Sequence, residues 1–157
     1  MKQKELSIAL KAIIALCGVI LTVLAAVILP MSGVHLMDYF PDATGLIWSA
    51  LIFLWITCIP VLVVLVLVWQ IATQIGKNNS FSMENAHNLK LICILAMTDT
   101  LLYFFAAIVL LFLHSPLPLL LTILILCLGI AISVVSAVFS HLVQKGAEMK
   151  AEQELTI

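Results

Sequence analysis

The chain has 157 residues, of which 64% are hydrophobic and only 10% carry a charged side chain. Soluble domains contain about 25% charged residues, so this composition excludes an ordinary water-soluble protein. The formal net charge is −1, and the seven basic residues are all lysines scattered along the chain. Because they form no basic face, direct binding of nucleic acid is not expected.

Four long apolar runs occupy residues 12–29, 46–69, 91–113 and 117–143. An α-helix rises about 1.5 Å per residue, so about 20 apolar residues cross a hydrocarbon core that is ~30 Å thick. Lipid offers no hydrogen-bond partners to the backbone, so each run is predicted to be a helix. The predicted fold is all-α: a four-transmembrane-helix bundle that forms one integral membrane domain over residues 1–157.

The first run admits a second interpretation. Lys2, Lys4 and Lys11 form a basic leader, and residues 23–25 make a passable signal-peptidase site. The run stays apolar as far as Leu29, beyond that site, which favours an uncleaved span.

The lysines predict the orientation of the chain. They precede the first run, lie between the second and third runs, or follow the fourth run, at Lys2, Lys4, Lys11, Lys77, Lys90, Lys145 and Lys150. The connections at 30–45 and 114–116 contain none. Lysines accumulate on the cytoplasmic side of membrane proteins. We therefore predict a multi-pass protein of the bacterial plasma membrane, with both termini, loop 70–90 and tail 144–157 in the cytoplasm. Residues 30–45 are predicted to form an outer loop or interfacial turn.

The polar segment at residues 77–91 interrupts the apolar pattern. Ser80 and Ser82 are suitable N-cap residues, and Glu84 would lie in a first helical turn. No helix breaker follows until residues 115–116, so one helix is predicted from about residue 83 to 113. Gly76 and the asparagines after it are predicted to form the preceding turn.

Two stretches carry a family resemblance. "GKNNSFSMENAHNLKLI", residues 76–92, resembles the G-K-x-F-S-x-E-N-x-x-x-L-K-x-I signature of an uncharacterised bacterial membrane family, domain of unknown function 2975. "EMKAEQELTI", residues 148–157, is similar to that family's terminal pattern. The matching positions are Gly76, Phe81, Ser82, Glu84, Asn85, Leu89, Lys90, Leu155, Thr156 and Ile157. The chain departs from the pattern by an extra residue or two before Phe81 and by Gln153-Glu154 in place of an Asn-Asp pair.

The resemblance implies a short four-span protein, since members have that form, and covers essentially the whole chain. Members are often encoded beside a small helix-turn-helix regulator. The implied function is therefore that of a regulatory protein which binds such a cytoplasmic regulator through residues 76–90 and the tail. The candidate docking residues are Phe81, Ser82, Glu84, Asn85, Lys90, Leu155, Thr156 and Ile157. Composition alone also permits a simpler role, in which both polar segments are solvated anchors of the helices.

Asp99 is the one acidic residue within an apolar run. A charge at that depth is costly, so an intramembrane acid is a candidate functional residue. Asp99, Tyr103, Ser133 and Ser136 form the candidate polar site. Two interpretations remain open: a neutral Asp99 bonded to Ser or Thr as a structural contact, or the ion or proton site of a small transporter or channel subunit assembled as a homo-oligomer.

The remaining patterns argue against a catalytic, cofactor-binding or metal-binding site. Each apolar run holds one cysteine, and no CxxC, HExxH, GxSxG, Walker or GxGxxG motif is present. We therefore expect no enzyme activity and no catalytic, cofactor-binding or metal-binding residues. The expected partners are the lipid bilayer, a helix-turn-helix regulator and other copies of the chain.

Overall fold

The computed structural model describes residues 3–114 and 116–155, and within them it contains helices and turns but no strand. The elements in chain order are α1 (Gln3–Val23), a π-helical segment (Leu24–Ile28), α2 (Leu29–Tyr39), a 3₁₀ turn (Pro41–Ala43), α3 (Thr44–Gly76), α4 (Met83–Phe112) and α5 (Pro116–Leu155). The predicted all-α fold is confirmed.

Four helical stretches are long and apolar enough to cross a membrane: Lys4–Tyr39, Pro41–Gly76, Met83–Phe112 and Pro116–Gln153. Their large apolar side chains mostly point away from the protein, as Val19, Ile59 and Phe105 do. Such a surface is unfavourable in water but matches a lipid environment. The chain is a multi-pass membrane protein.

The predicted loop at residues 30–45 is largely helical, and this corrects the expectation for that segment. The π-helical segment directly precedes Pro30, and within it the Leu29 N–H bonds the Leu24 carbonyl. A continued π pattern would pair residue 30 with Ala25, but proline has no N–H to donate. The Trp55 indole instead donates to the Ala25 carbonyl oxygen at 3.0 Å. That carbonyl thus has a partner from α3, and the helix continues through Pro30 to Tyr39.

Each span packs on the next one along the chain. The α1 helix lies against α3, α3 against α4, and α4 against α5, which is the most extensive pairing. Within the described residues no Cα atom of α1 approaches α4 or α5 to within 8 Å. The four spans therefore form an open bundle.

Glycines lie where neighbouring helices approach closely. A Cβ atom placed on Gly129 of α5 would overlap Thr100 Oγ1 of α4, and one on Gly33 would lie 2.5 Å from Leu51 Cδ1. Close approach at small residues is typical of helix packing in membranes, where van der Waals contact drives association.

The start of α4 was predicted correctly, and the turn before it in part, since Asn78 and Asn79 lie in the turn but Gly76 does not. Ser82 is extended, and its hydroxyl accepts a hydrogen bond of 3.2 Å from the Asn85 N–H, which makes it the N-cap. The left-handed residue of the turn is Asn78, with φ 58°, whereas Gly76 ends α3. The N–H groups of Asn78 and Asn79 bond the carbonyls of Ile75 and Gln74, which closes the end of α3.

Candidate functional site

The linker, residues 77–82, joins α3 to α4 and contacts α5, and the first turns of α1 contact the end of α3 just before it. The Ser7 hydroxyl of α1 donates to the Ala72 carbonyl of α3 at 2.6 Å. Lys150 Nζ of α5 donates to Asn79 Oδ1 at 3.5 Å. The first turns of α1, the linker and the last turns of α5 therefore lie together, at what we call the linker end.

Phe81 joins the linker to α5. A Cβ atom placed on Gly146 would lie 2.5 Å from Phe81 Cδ1 and 3.1 Å from Cε1, so the ring rests on the glycine backbone. The ring is nonetheless 56% exposed. The sequence identified Phe81 but not Gly146, although an isolated glycine in a helical pattern is a signal for close packing.

Asn85 holds the linker from the α4 side. Its side chain is 1% exposed, and Nδ2 donates to the Ser80 carbonyl at 2.9 Å and to the Asn79 carbonyl at 3.4 Å. Linker carbonyls that lack helical partners are satisfied in this way. Asn85 was predicted as a docking residue, but its burial makes it a structural residue that a partner cannot contact in this conformation.

The other predicted docking residues differ in exposure. Ser82 is the N-cap of α4, whereas Glu84 and Lys90 are exposed. Glu84 Oε2 accepts a hydrogen bond of 2.5 Å from Gln74 Nε2 of α3. The backbone of Leu155 ends α5, but its side chain lies outside the described part of the chain, as do Thr156 and Ile157.

Several apolar side chains at the linker end are exposed, including Ile8 of α1 and three from the linker, α4 and α5. Phe81, Met83 and Met149 are 56%, 57% and 60% exposed. Met149 lies one helical turn after Gly146, the residue on which Phe81 rests. Glu84 follows Met83 and Lys150 follows Met149 in the sequence, and both charged side chains are exposed. Lys150 also contacts the linker at Asn79. This set of residues, which we call the docking patch, combines apolar groups with a charged margin.

Two further contacts between helices were not anticipated from the sequence. The Ser140 hydroxyl of α5 donates to the Ala86 carbonyl of α4 at 2.8 Å. Asn88 is buried, and its Nδ2 donates to Gln70 Oε1 at 3.2 Å. Together with the Asn85 contacts, they fix the first turns of α4 against both neighbouring helices.

The second candidate site surrounds Asp99, deeper in α4. Its Oδ1 atom is buried and has no hydrogen-bond partner among the described residues. Tyr103, one turn further, has its hydroxyl 3.2 Å from Thr57 Oγ1 of α3. The Tyr103 ring also meets Phe53 edge-on, with 5.3 Å between the ring centroids. Tyr103 therefore belongs to the contact between α3 and α4, and Asp99 lies one turn before it on α4.

The two predicted serines do not bond the Asp99 Oδ1 atom. Ser133 and Ser136 are both buried on α5. Ser133 Oγ donates to the Gly129 carbonyl of its own helix at 2.8 Å. Ser133 also lines a groove of about 300 Å³ with Thr100 and Met97. The expected bond from a Ser or Thr to Asp99 is thus absent at Oδ1.

Cysteine, histidine and acidic side chains remain dispersed. Cys17, Cys58, Cys93 and Cys127 are free thiols. In residues 3–114 and 116–155, no three His, Cys, Asp or Glu side chains are grouped as a metal site requires.

Comparison with known proteins identifies a family for this chain. No curated protein and no solved structure matches it. The model of one family, described as Protein of unknown function (DUF2975), matches residues 32–157, which include α3, the linker, α4 and α5. The chain belongs to this DUF2975 family.

Proposed function

We propose that the protein is a membrane-bound regulator whose docking patch binds a cytoplasmic protein of the helix-turn-helix class. The observation that carries the proposal is the exposure of Phe81, Met83 and Met149 around a linker that is held by Asn85 and Gly146. A held linker presents its side chains in one arrangement, so less conformational entropy is lost when a partner binds.

The position of the docking patch supports a soluble partner. The lysines of α1, the linker and α5 lie at the same end as the patch. By the positive-inside rule this end faces the cytoplasm. A patch on that side is accessible to soluble cytoplasmic proteins.

The chemistry of the patch suits a protein interface. Interfaces bury aromatic and methionine side chains at their centre and keep charged residues at their rim. Phe81 and the two methionines would form the centre, with Glu84 and Lys150 at the margin. The class of partner rests on the family resemblance, because members are often encoded beside helix-turn-helix regulators.

Binding of this kind would hold a DNA-binding protein at the membrane and limit its access to promoters. The membrane protein would then act by changing the free concentration of the regulator. Such a role needs a docking surface and a signal, but no catalytic residue.

The test is site-specific photo-crosslinking in living bacteria. A photoreactive amino acid replaces Met83 or Met149 in the full chain, and the matched control replaces Asp42, which lies at the end opposite the linker. We expect an adduct that contains a helix-turn-helix protein from the first two positions and none from the third. Adding Phe81→Ala should reduce the adduct at least several-fold.

The proposal would be overturned if both methionine positions gave no protein adduct while the chain remained folded in the membrane. Equal adducts from Asp42 would also overturn it. An adduct made only with another copy of this chain would replace the regulator with a homo-oligomer contact.

A further inference from the structure

The Thr57 and Tyr103 hydroxyls share one hydrogen bond, whose direction depends on the position of the Thr57 proton. The Thr57 hydroxyl has one proton, which it donates to the Leu54 carbonyl at 3.0 Å. When the Thr57 proton is on that carbonyl, the 3.2 Å contact between Thr57 Oγ1 and the Tyr103 hydroxyl uses the phenol proton. Tyr103 can therefore still accept a hydrogen bond, but it has no second proton to donate.

Asp99 lies one turn before Tyr103 and lacks a donor. Its buried Oδ1 has no hydrogen-bond partner among the described residues. The titratable groups close enough to interact with its charge are Cys58 of α3 and Tyr103 of its own helix. On α5, Cys127 and His141 are exposed. None of these groups supplies a hydrogen bond to Oδ1.

No cation compensates the carboxyl group. Of the described lysines, the nearest along α4 is Lys90, nine residues away, or about 14 Å along the helix axis. An ionised carboxylate without a donor or a cation is strongly disfavoured in an apolar interior. The neutral acid, which has an O–H to donate, is the form that acceptors such as the Tyr103 oxygen can satisfy.

We propose that Asp99 is a proton-binding site within the membrane and that Thr57 and Tyr103 are its positioning residues. The ligand is a proton, which adds to a carboxylate oxygen and gives the neutral acid. Loss of that proton leaves a charge that nothing in the site neutralises, so the Tyr103 hydroxyl would turn from Thr57 toward Asp99. That movement breaks a hydrogen bond between α3 and α4, and it links proton binding to the packing of these helices.

This site is separate from the docking patch. Asp99 is 14 residues beyond Asn85, so it lies about 21 Å along α4 from the linker end. The proton site can therefore be tested independently of the proposed regulatory function.

The test uses dicyclohexylcarbodiimide, an apolar reagent that reacts with protonated carboxyl groups. The acid proton moves to a carbodiimide nitrogen, the carboxylate oxygen adds to the central carbon, and rearrangement gives a stable N-acylurea. The full chain is labelled in phospholipid vesicles across a range of pH, and the adduct is mapped by mass spectrometry. We expect labelling of Asp99 at neutral pH, with a yield that falls about tenfold for each pH unit above the midpoint.

Matched variants separate the site from general reactivity. Glu84→Gln, which removes an exposed acid at the linker end, should leave the Asp99 adduct unchanged. Asp99→Asn should abolish the adduct, and the wild-type peptide map identifies the site even if that variant fails to fold. Thr57→Val removes the Thr57 hydroxyl, so the Tyr103 hydroxyl is free to donate to the Asp99 carboxylate. The midpoint of the pH dependence of Asp99 labelling should then move to lower pH.

Absence of an Asp99 adduct in the folded wild-type protein at neutral pH would overturn the proposal. A yield that does not change with pH would also overturn it, because that result describes a permanently neutral structural acid. An unchanged midpoint in Thr57→Val would remove Thr57 and Tyr103 from the site.

Discussion

The hydroxyl oxygen of Ser7 lies 2.6 Å from the carbonyl oxygen of Ala72, to which it donates a hydrogen bond. This contact joins the first turns of α1 to the end of α3, 65 residues further along the chain. Gly76 allows the approach, since a Cβ atom there would lie 2.8 Å from Ser7 Oγ. The N-terminal turns are thereby held at the same end of the molecule as the linker.

Gly76→Ala should weaken this junction. The added methyl group would lie 2.8 Å from Ser7 Oγ and 3.1 Å from Ser7 Cβ, so α1 must shift. We expect a loss of about 1–3 kcal/mol in unfolding free energy, measured by denaturation in mixed micelles. Gly45→Ala is the matched control, because its methyl group meets nothing within 4 Å, and it should be neutral or slightly stabilising. Equal effects of the two variants would contradict the account.

Gly129→Ala should separate α4 from α5. Its methyl group would overlap Thr100 Oγ1 but would lie 3.4 Å from Thr100 Cβ, an ordinary contact distance. Thr100→Ala should therefore restore most of the stability lost in Gly129→Ala. A double-mutant cycle of unfolding free energies measures the coupling, which we expect to be about 0.5–3 kcal/mol. Additive effects would show that the two residues are not in contact.

Gly146→Ala should release the linker from α5. The new methyl group would occupy the position of the Phe81 ring, and the ring must leave. Lys77, which is exposed in the linker, then becomes a better trypsin site. We expect cleavage after Lys77 to accelerate several-fold, because proteolysis follows local opening. Gly18→Ala, whose methyl group would lie 3.9 Å from Leu65 Cδ1, should leave the cleavage rate unchanged.

Asn85→Ala should destabilise the linker end without removing any exposed group. The variant leaves the carbonyls of Ser80 and Asn79 without their Asn85 donor. We expect a loss of about 1–3 kcal/mol in unfolding free energy, the usual result of removing one partner of a buried hydrogen bond. His87→Ala, at an exposed position two residues on, should change stability little. If Asn85→Ala retained full stability and lost only partner binding, Asn85 would be a docking residue after all.

The spans and the start of α4 were predictable because they depend on local signals. Long apolar runs must be helical in lipid, and Ser82 caps α4 through a contact only three residues away. The continuation of α2 through Pro30 was not predictable in the same way. It is accompanied by a hydrogen bond from Trp55, a residue of another helix, to the Ala25 carbonyl.

The candidate sites show the same division between local and distant contacts. Phe81 and Glu84 could be selected from the sequence, but the contact of Phe81 with Gly146 joins residues far apart in the chain. Asn85 is a polar residue of a type expected at the surface. Only the structure shows that it is buried and bonds a linker carbonyl. Asp99 was recognised from its apolar surroundings, whereas the contact of Tyr103 with Thr57 required the packing of α3 on α4.

The central claim is that the linker and the C-terminal part of α5 lie at one membrane face and the connection between α2 and α3 lies at the other. Cysteine accessibility tests it most directly, in a chain whose four native cysteines are replaced and which carries Lys77→Cys, Lys150→Cys or Asp42→Cys. In intact cells with a permeabilised outer envelope, a membrane-impermeant maleimide should label only the Asp42→Cys variant. The other two should react only after the inner membrane is opened. Labelling that placed residues 77 and 150 on opposite faces, or residue 42 on the same face as residue 77, would contradict the account.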